Sequence, residues 1–215
     1  MNKGNCRIMI PLETGVGKAL ISVIISTENS GRALVPTLAA LVAGAAAGAI
    51  REVIVADADS TDATAEVADM AGCEFIASKG PLALRLRDAA QRARAAWLMF
   101  LRPGVVLDST WIEEACRFIE HAERSRQTDV RAAVFRQAPS ILDSRPLLFE
   151  AMGILKSALG RRPHPEQGLL IFKRFYEQLG GHRVGRFDPE TDLLRRLGRK
   201  RTLKLRSAAV KVTDG

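Results

Sequence analysis

The sequence has few aromatic residues and few cysteines. Aromatic residues make up 5% of the 215 residues, with one tyrosine and two tryptophans. Because single-stranded nucleic acids are bound largely by stacking bases on aromatic rings, this scarcity argues against a nucleic-acid partner. The three cysteines, Cys6, Cys73 and Cys116, lie far apart and are odd in number. Their spacing argues against a zinc site and a disulfide framework, and it predicts a reducing compartment such as the cytoplasm.

The sequence also lacks a segment with the composition of a signal peptide or a membrane-spanning helix. Residues 1–20 contain one short apolar run and no small-residue cleavage site, so they are interpreted as a lead-in segment before one domain over residues 21–215. Residues 33–50 carry no charge, but alanine and glycine dominate them and contribute little insertion free energy. We therefore expect a helix from about Val35 to Ile50, packed closely on a sheet.

Basic residues outnumber acidic residues, and the formal net charge is +8 with a pI of about 9.9. This balance favours anionic partners such as nucleotide diphosphates or an acidic membrane surface. The basic residues of the tail, from Arg195 to Lys211, have two interpretations. They belong either to a solvated helix end and strand, or to a surface that contacts an anionic bilayer. The expected location is the cytoplasm, with peripheral contact at the inner membrane face as the alternative.

Short apolar strands alternate with helical segments through the first hundred residues. Strands are predicted at 22–25, 52–56, 74–76 and 97–101, with helices between them. Such alternation predicts an α/β fold with a mostly parallel central sheet flanked by helices. Because ligands bind at the carboxyl ends of parallel strands, we expect Thr27, Asp57 and Arg102 to lie around one cleft.

The turn after the second strand concentrates three carboxylates, those of Asp57, Asp59 and Asp62. One interpretation is that they cap the following helix, for which Thr61 or Asp62 is the candidate N-cap. However, one helix start needs only one or two caps. The other interpretation is therefore a binding site for a polar ligand with hydroxyl or N–H groups, such as a nucleoside.

The segment from Val55 to Thr64, V-A-D-A-D-S-T-D-A-T, resembles the V-V-D-G-G-S-T-D-G-T motif of family 2 glycosyltransferases, which have the GT-A fold. The block at 21–30 resembles the opening of the same family, and the blocks at 165–174, 175–182 and 189–197 resemble one bacterial branch of it. The order and spacing of all five blocks are kept. The resemblance covers about residues 21–205. It implies one GT-A domain that transfers a sugar from a nucleotide diphosphate sugar to an acceptor hydroxyl with inversion.

The resemblance also assigns roles to individual residues. The general base of the family is the aspartate of an E-D motif, which corresponds here to Glu190. Asp88 stands where the family has an asparagine that faces the nucleotide sugar. The residues expected to contact the nucleotide sugar are Thr27, Asn29, Asp57, Asp59, Arg85, Asp88 and Arg102.

The chief departure from the family concerns its metal-binding D-x-D motif. At the aligned positions this chain has Arg102-Pro103-Gly104, and both carboxylates are missing. A divalent cation on a diphosphate needs such hard oxygen ligands, so no metal cofactor is expected. A guanidinium binds phosphate well, and Arg102 is the candidate replacement. Two hypotheses follow: a metal-independent glycosyltransferase, or an inactive relative that binds a nucleotide sugar or a protein partner.

Overall fold

The computed structural model describes residues 20–138, 163–185 and 188–212. The lead-in segment, apart from Leu20, and a helix that the sequence predicts at 147–159 therefore lie outside the described residues. Within the described residues, no helix is both long enough and apolar enough to cross a bilayer.

Eight strands of the described residues form one sheet in the order β3-β2-β1-β4-β7-β6-β8-β5. The first four, β3, β2, β1 and β4, are adjacent and parallel, which confirms the sequence prediction. The strands are β1 (Ile21–Thr27), β2 (Ile50–Asp57), β3 (Glu74–Ala77), β4 (Trp97–Leu101), β5 (Val105–Leu107), β6 (Ala132–Gln137), β7 (Leu169–Phe172) and β8 (Thr202–Lys211).

The second half of the sheet is mixed. Strand β7 is antiparallel to both β4 and β6, whereas β8 is parallel to β6 and antiparallel to β5. Because β7 runs against β4, its first residues lie beside the carboxyl end of β4. This places the 3₁₀ turn Pro165–Gln167 next to the residues that follow β4.

Six helices are described: α1 (Gly31–Ala46), α2 (Thr64–Met70), α3 (Leu82–Arg92), α4 (Trp111–Arg124), α5 (Lys173–Gln178) and α6 (Pro189–Leu197). Helix α1 begins four residues earlier than predicted, because the carboxylate of Asp62 accepts the Gly31 N–H at 2.9 Å. It ends at Ala46 rather than Ile50, because Gly48 adopts a φ of 71° and Ile50 already pairs in β2.

Apolar side chains cover both faces of the sheet. On one face α1 and α4 bury Leu34, Leu41 and Trp111, and on the other α3, α5 and α6 bury side chains such as Leu86. The domain is therefore three layers deep, with helices on both sides of the sheet. Burial of both faces explains why β1 and β4 read as continuous apolar runs rather than as alternating patterns.

Candidate functional site

The carboxyl ends of β1 and β2 meet through a buried hydrogen-bond cluster around Asp57. The Asp57 carboxylate accepts hydrogen bonds from Thr27 Oγ1, Ser60 Oγ and the Ser60 backbone N–H, each at 2.6 Å. Asp57 is fully buried and Thr27 is 2% exposed. The structure thus brings Thr27 and Asp57 together, and the carboxylate fixes the turn that follows β2.

Asp62 joins the starts of two helices. One carboxylate oxygen accepts the Gly31 N–H at the start of α1, and the other accepts the Thr64 N–H at 3.0 Å and the Thr64 hydroxyl. The hydrogen bond from Thr64, followed by that from Gly31, lowers the pKa of Asp62. The sequence assigned Asp62 to α2 alone, whereas the structure shows that it holds the β1–α1 and β2–α2 loops against each other.

Two exposed residues of these loops adopt left-handed backbone conformations. Asn29 has a φ of 44° and Asp59 a φ of 65°. The Asn29 side-chain oxygen accepts the Thr61 N–H at 3.0 Å, and the Asn29 backbone N–H donates to Ser60 Oγ at 2.8 Å. Asp59 forms an exposed ion pair with Lys79 at 3.3 Å. Asparagine and aspartate tolerate this backbone region better than most residues, which explains their presence in such tight turns.

Arg85 and Asp88, the two residues of α3 that were predicted to contact the nucleotide sugar, lie in different environments. Arg85 is 7% exposed and donates from Nη1 to the Thr27 carbonyl oxygen at 3.1 Å. Its Nε is buried without a hydrogen-bond partner among the described residues. Asp88 is instead at the solvent-facing side, where it accepts a hydrogen bond from Arg92 Nε at 3.1 Å. The structure therefore brings Arg85, but not Asp88, to the end of β1.

The residue after β4 forms the main charged contact of this edge. Arg102 donates from Nε to Glu190 Oε2 at 2.6 Å, and its Nη2 lies 2.5 Å from the same oxygen. Nη2 also donates to Asp188 Oδ1 at 3.0 Å. One guanidinium thus holds two carboxylates, 86 and 88 residues further along the chain. Glu190 lies in the first turn of α6, which places it at the same sheet edge as Arg102.

Asp188 has two roles that the sequence analysis missed. Its Oδ2 accepts the Thr191 N–H at 2.9 Å and the Thr191 hydroxyl at 2.8 Å, which caps α6, while its Oδ1 binds Arg102. The signal was present, because an aspartate followed by a proline is typical of an N-cap and first helical residue. The second role could not be found that way, since nothing local indicates the partner of Oδ1.

The pKa values of the two carboxylates that Arg102 binds shift in opposite directions. Burial raises the pKa of Glu190 above its usual range, and the charge and hydrogen bonds of Arg102 offset only part of this effect. Burial also acts on Asp188, but the hydrogen bonds from Thr191 and the guanidinium outweigh it and lower the pKa of Asp188. Glu190 is therefore the more basic of the two, which suits a group that accepts a proton.

A buried histidine lies beside Glu190. His182 is 1% exposed and packs edge-on against Phe100, with ring centroids 4.9 Å apart. Its Nδ1 is 2.9 Å from the Tyr176 hydroxyl, which also accepts the His182 N–H at 3.2 Å. Burial lowers the pKa of His182 to about 3, so the ring is neutral. Glu190 and His182 line a small pocket with Phe100, Pro165, Gly168, Leu169 and Leu194.

The turn Arg102-Pro103-Gly104 has no room for a side chain at Gly104. Gly104 has a φ of 80°, and a Cβ there would lie 2.8 Å from the Val212 carbonyl oxygen. The Gly104 N–H donates to Ala33 O and its carbonyl oxygen accepts from the Val212 N–H, both at 2.8 Å. An aspartate at Gly104, one of the two positions aligned with the D-x-D motif, would require the backbone at Val212 to move.

The two carboxylates that Arg102 binds at this edge of the sheet, those of Glu190 and Asp188, are already paired with a cation. This guanidinium would repel a second cation. In the described ranges, no group of three or more histidine, cysteine, aspartate and glutamate side chains is arranged to hold a metal ion.

The basic tail is used in part for internal contacts. Arg196 binds the carbonyl oxygens of Leu179 and Gly181, and Arg201 binds those of Leu197 and Arg196. These guanidiniums hold the segment after α5 and the end of α6 in place. Contact of the tail with an anionic membrane stays a prediction.

The sheet order and the helices on both faces of the sheet define a class, that of the GT-A glycosyltransferase domains. The sequence profile described as Glycosyl transferase family 2 matches residues 22–177, more than half of the chain, and the chain belongs to this family. A comparison with curated proteins finds no significant match.

Solved structures with the same fold are distant in sequence. Glucosyl-3-phosphoglycerate synthase from Mycobacterium tuberculosis, in complex with Mn²⁺, UDP and glucosyl-3-phosphoglycerate, is 15% identical with a TM-score of 0.61, covering 92% of this chain and 73% of its own. Mannosyl-3-phosphoglycerate synthase from Rubrobacter xylanophilus is 13% identical with a TM-score of 0.63, covering 92% and 68%. S. aureus TarS 1-349 in complex with UDP-GlcNAc is 14% identical with a TM-score of 0.62, and the match covers 91% of this chain but only 60% of TarS.

Proposed function

We propose that this protein transfers a sugar from a nucleotide diphosphate sugar to an acceptor hydroxyl without a divalent metal. The observation that carries the proposal is the Arg102–Glu190 pair at the carboxyl end of β4, which places a cation and a buried carboxylate in contact. The cation would face the diphosphate, and the carboxylate would act on the acceptor. The membership in family 2 and the UDP-containing neighbours support the donor class.

Nucleotide binding is assigned to the loops after β1 and β2. Asn29 and Asp59 are exposed there and offer an amide and a carboxylate. Asp57 and Thr27 lie beneath them and fix the turn, and Arg85 supports the backbone at Thr27. In this proposal the exposed groups contact the nucleoside, while the buried ones hold the loops in the conformation that binds it.

The chemical step has two requirements on the protein. Glu190 accepts the proton of the acceptor hydroxyl as that oxygen attacks the anomeric carbon, and the bond from this carbon to the diphosphate breaks with inversion. The guanidinium of Arg102 faces the charge that develops on the leaving diphosphate. A buried carboxylate with a raised pKa is a better proton acceptor than an exposed one, so the position of Glu190 favours the first step.

A second candidate function is binding without catalysis. Two observations favour it: the Asp57 carboxylate already accepts three hydrogen bonds, and the charge of Arg102 is matched by two carboxylates. Under this hypothesis the chain binds a nucleotide sugar or a protein partner, and the charged pair only fastens α6 to the sheet.

Calorimetric titration with UDP and a turnover assay with UDP-sugars test the proposal. We expect binding that is unchanged by manganese or by a chelator and that weakens as salt is added. Glu190→Gln should reduce turnover by about a hundredfold or more, because the proton acceptor is lost while the shape is kept. Glu177→Gln, an exposed carboxylate on α5, is the matched control.

Two results would contradict this assignment. A large gain in UDP affinity on adding manganese would mean that other carboxylates bind a metal. Binding of UDP with no turnover of any sugar nucleotide would favour the inactive relative.

A further inference from the structure

Arg102 presents two different edges. The edge formed by Nε and Nη2 binds Glu190 and Asp188, whereas Nη1 has no hydrogen-bond partner in the part of the chain that the structure describes. The Arg102 side chain is 28% exposed and that of Glu190 is 8% exposed. A ligand that enters from solvent therefore meets the guanidinium before it meets the base.

Asp188 and Glu190 differ in the hydrogen bonds that remain to them if the Arg102 guanidinium moves away. Asp188 keeps the N–H and the hydroxyl of Thr191 whatever Arg102 does. Glu190 accepts hydrogen bonds from Arg102 alone among the described residues. If an anion draws the guanidinium outward, Glu190 is the group that is left buried without a counter-ion, which is a costly state for an ionised carboxylate.

We propose that Arg102 is a latch on Glu190 that the diphosphate of the donor releases, and that Glu190 takes up a proton when the latch opens. The inference rests on the proposed function, because it assumes that a nucleotide diphosphate binds at this edge. In the absence of an acceptor, the proton comes from the solvent and converts the carboxylate of Glu190 to its neutral acid. At pH values above the pKa that Glu190 has with the donor bound, the carboxylate stays ionised, and during turnover the acceptor hydroxyl supplies the proton. The base is thus strengthened only when the donor is present.

The charges around Glu190 set the direction of this proton transfer. Burial raises the pKa of Glu190, Arg102 and His164 lower it, and Asp188 raises it, while the adjacent His182 is neutral. Moving Arg102 to a phosphate removes the main lowering contribution and leaves burial and Asp188. The pKa of Glu190 must therefore rise on binding, and protons are taken up at pH values between the two pKa values.

Proton uptake can be measured without turnover. UDP-glucose is titrated into the wild-type protein at about pH 6 in two buffers that differ in ionisation enthalpy. A phosphate group with a pKa near 6 would complicate the count, but the diphosphate of UDP-glucose is esterified at both ends and lacks one. We expect net uptake of a fraction of a proton per UDP-glucose, and an affinity that increases as the pH falls from about 8 to about 6.

Substitution of the base provides an independent measurement. Because Glu190→Gln leaves Asp188 as the one carboxylate paired with Arg102 among the described residues, the variant should bind UDP about two- to fivefold more tightly than the wild type. It should also take up no proton with UDP-glucose. Glu177→Gln should match the wild type in both measurements, and thermal unfolding shows whether each variant is folded.

The outcomes separate this inference from the proposed function. If both nucleotides bind, but UDP-glucose binds without proton uptake and Glu190→Gln does not bind UDP more tightly, the latch is wrong while metal-free nucleotide binding stands. If neither nucleotide binds, both proposals fall. Should Glu190→Gln not fold, the proton count and the pH dependence of the wild-type protein decide the question alone.

Discussion

Individual side chains at this site serve two purposes at once, and Asp188 shows it most clearly. One of its oxygens caps α6 and the other binds the guanidinium that holds Glu190. The fold and the charge of the site therefore depend on the same carboxylate. The two roles respond differently to substitution, because a helix cap needs an acceptor oxygen whereas the guanidinium favours a negative charge.

We predict that Asp188→Asn and Asp188→Ala differ in stability. Asparagine caps a helix nearly as well as aspartate, so only the alanine variant should lose the cap, at a cost of about 1 kcal/mol in the free energy of unfolding. Urea denaturation of the two variants measures this difference. Equal stability of the two variants would show that the cap at α6 contributes nothing.

The same pair of variants separates charge from cap in binding. Both substitutions remove a negative charge next to Arg102, so both should strengthen UDP binding by a similar factor. A gain that appears in Asp188→Ala alone would point to movement of α6 rather than to charge.

Among the elements, α1 is fixed by close packing on α4. The ring of Trp111 lies against Gly44, and its Nε1 donates to the Ala40 carbonyl oxygen at 3.2 Å. A Cβ at position 44 would lie 2.4 Å from the Trp111 ring. The glycine in the last turns of this helix is therefore explained by the tryptophan and not by helix propensity.

We predict that Gly44→Ala destabilises the domain although alanine is the better helix former. Propensity alone would stabilise by about 1 kcal/mol, but overpacking against the ring costs about 1–3 kcal/mol. Ala43→Gly, at an exposed neighbouring position, is the control and should cost about 1 kcal/mol. A Gly44→Ala variant that is more stable than the wild type would mean that Trp111 moves aside freely.

The sequence predicted those elements whose signals are local. Strands β1 to β4 are short, apolar and flanked by helical patterns, and all four lie close to their predicted positions and are parallel. The start of α1 was misplaced because the carboxylate that accepts its first N–H, that of Asp62, is 31 residues away. The contact of Arg102 with Glu190 was not anticipated for the same reason. Each residue was assigned its own task from its own motif, and only the tertiary fold brings Arg102 and Glu190 into contact.

At the scale of the whole molecule, the buried His182 links stability to pH. Its pKa in the folded protein, about 3, is well below the usual value of 6.5. Below about pH 6.5 the unfolded chain therefore binds a proton at His182 that the folded protein does not bind. This contribution to stability is complete above pH 6.5 and is lost as the pH falls towards the folded pKa.

We predict that replacement of His182 by phenylalanine flattens the acid dependence of stability. Between pH 7 and pH 5, the histidine should cost the wild-type protein about 2 kcal/mol of unfolding free energy that His182→Phe does not lose. Urea denaturation of both proteins at the two pH values measures the difference. A variant that loses as much stability as the wild type would show that His182 is protonated readily in the folded state.

Gly104 limits the evolutionary changes that are open to this chain. An aspartate at that position would adopt a left-handed backbone and press its Cβ against the Val212 carbonyl oxygen, so the turn and the end of β8 would have to move first. Replacing Arg102 first is no easier, since it would leave Glu190 and Asp188 facing each other without a cation. Either first step towards a D-x-D motif is harmful by itself, so both positions of the turn would have to change together.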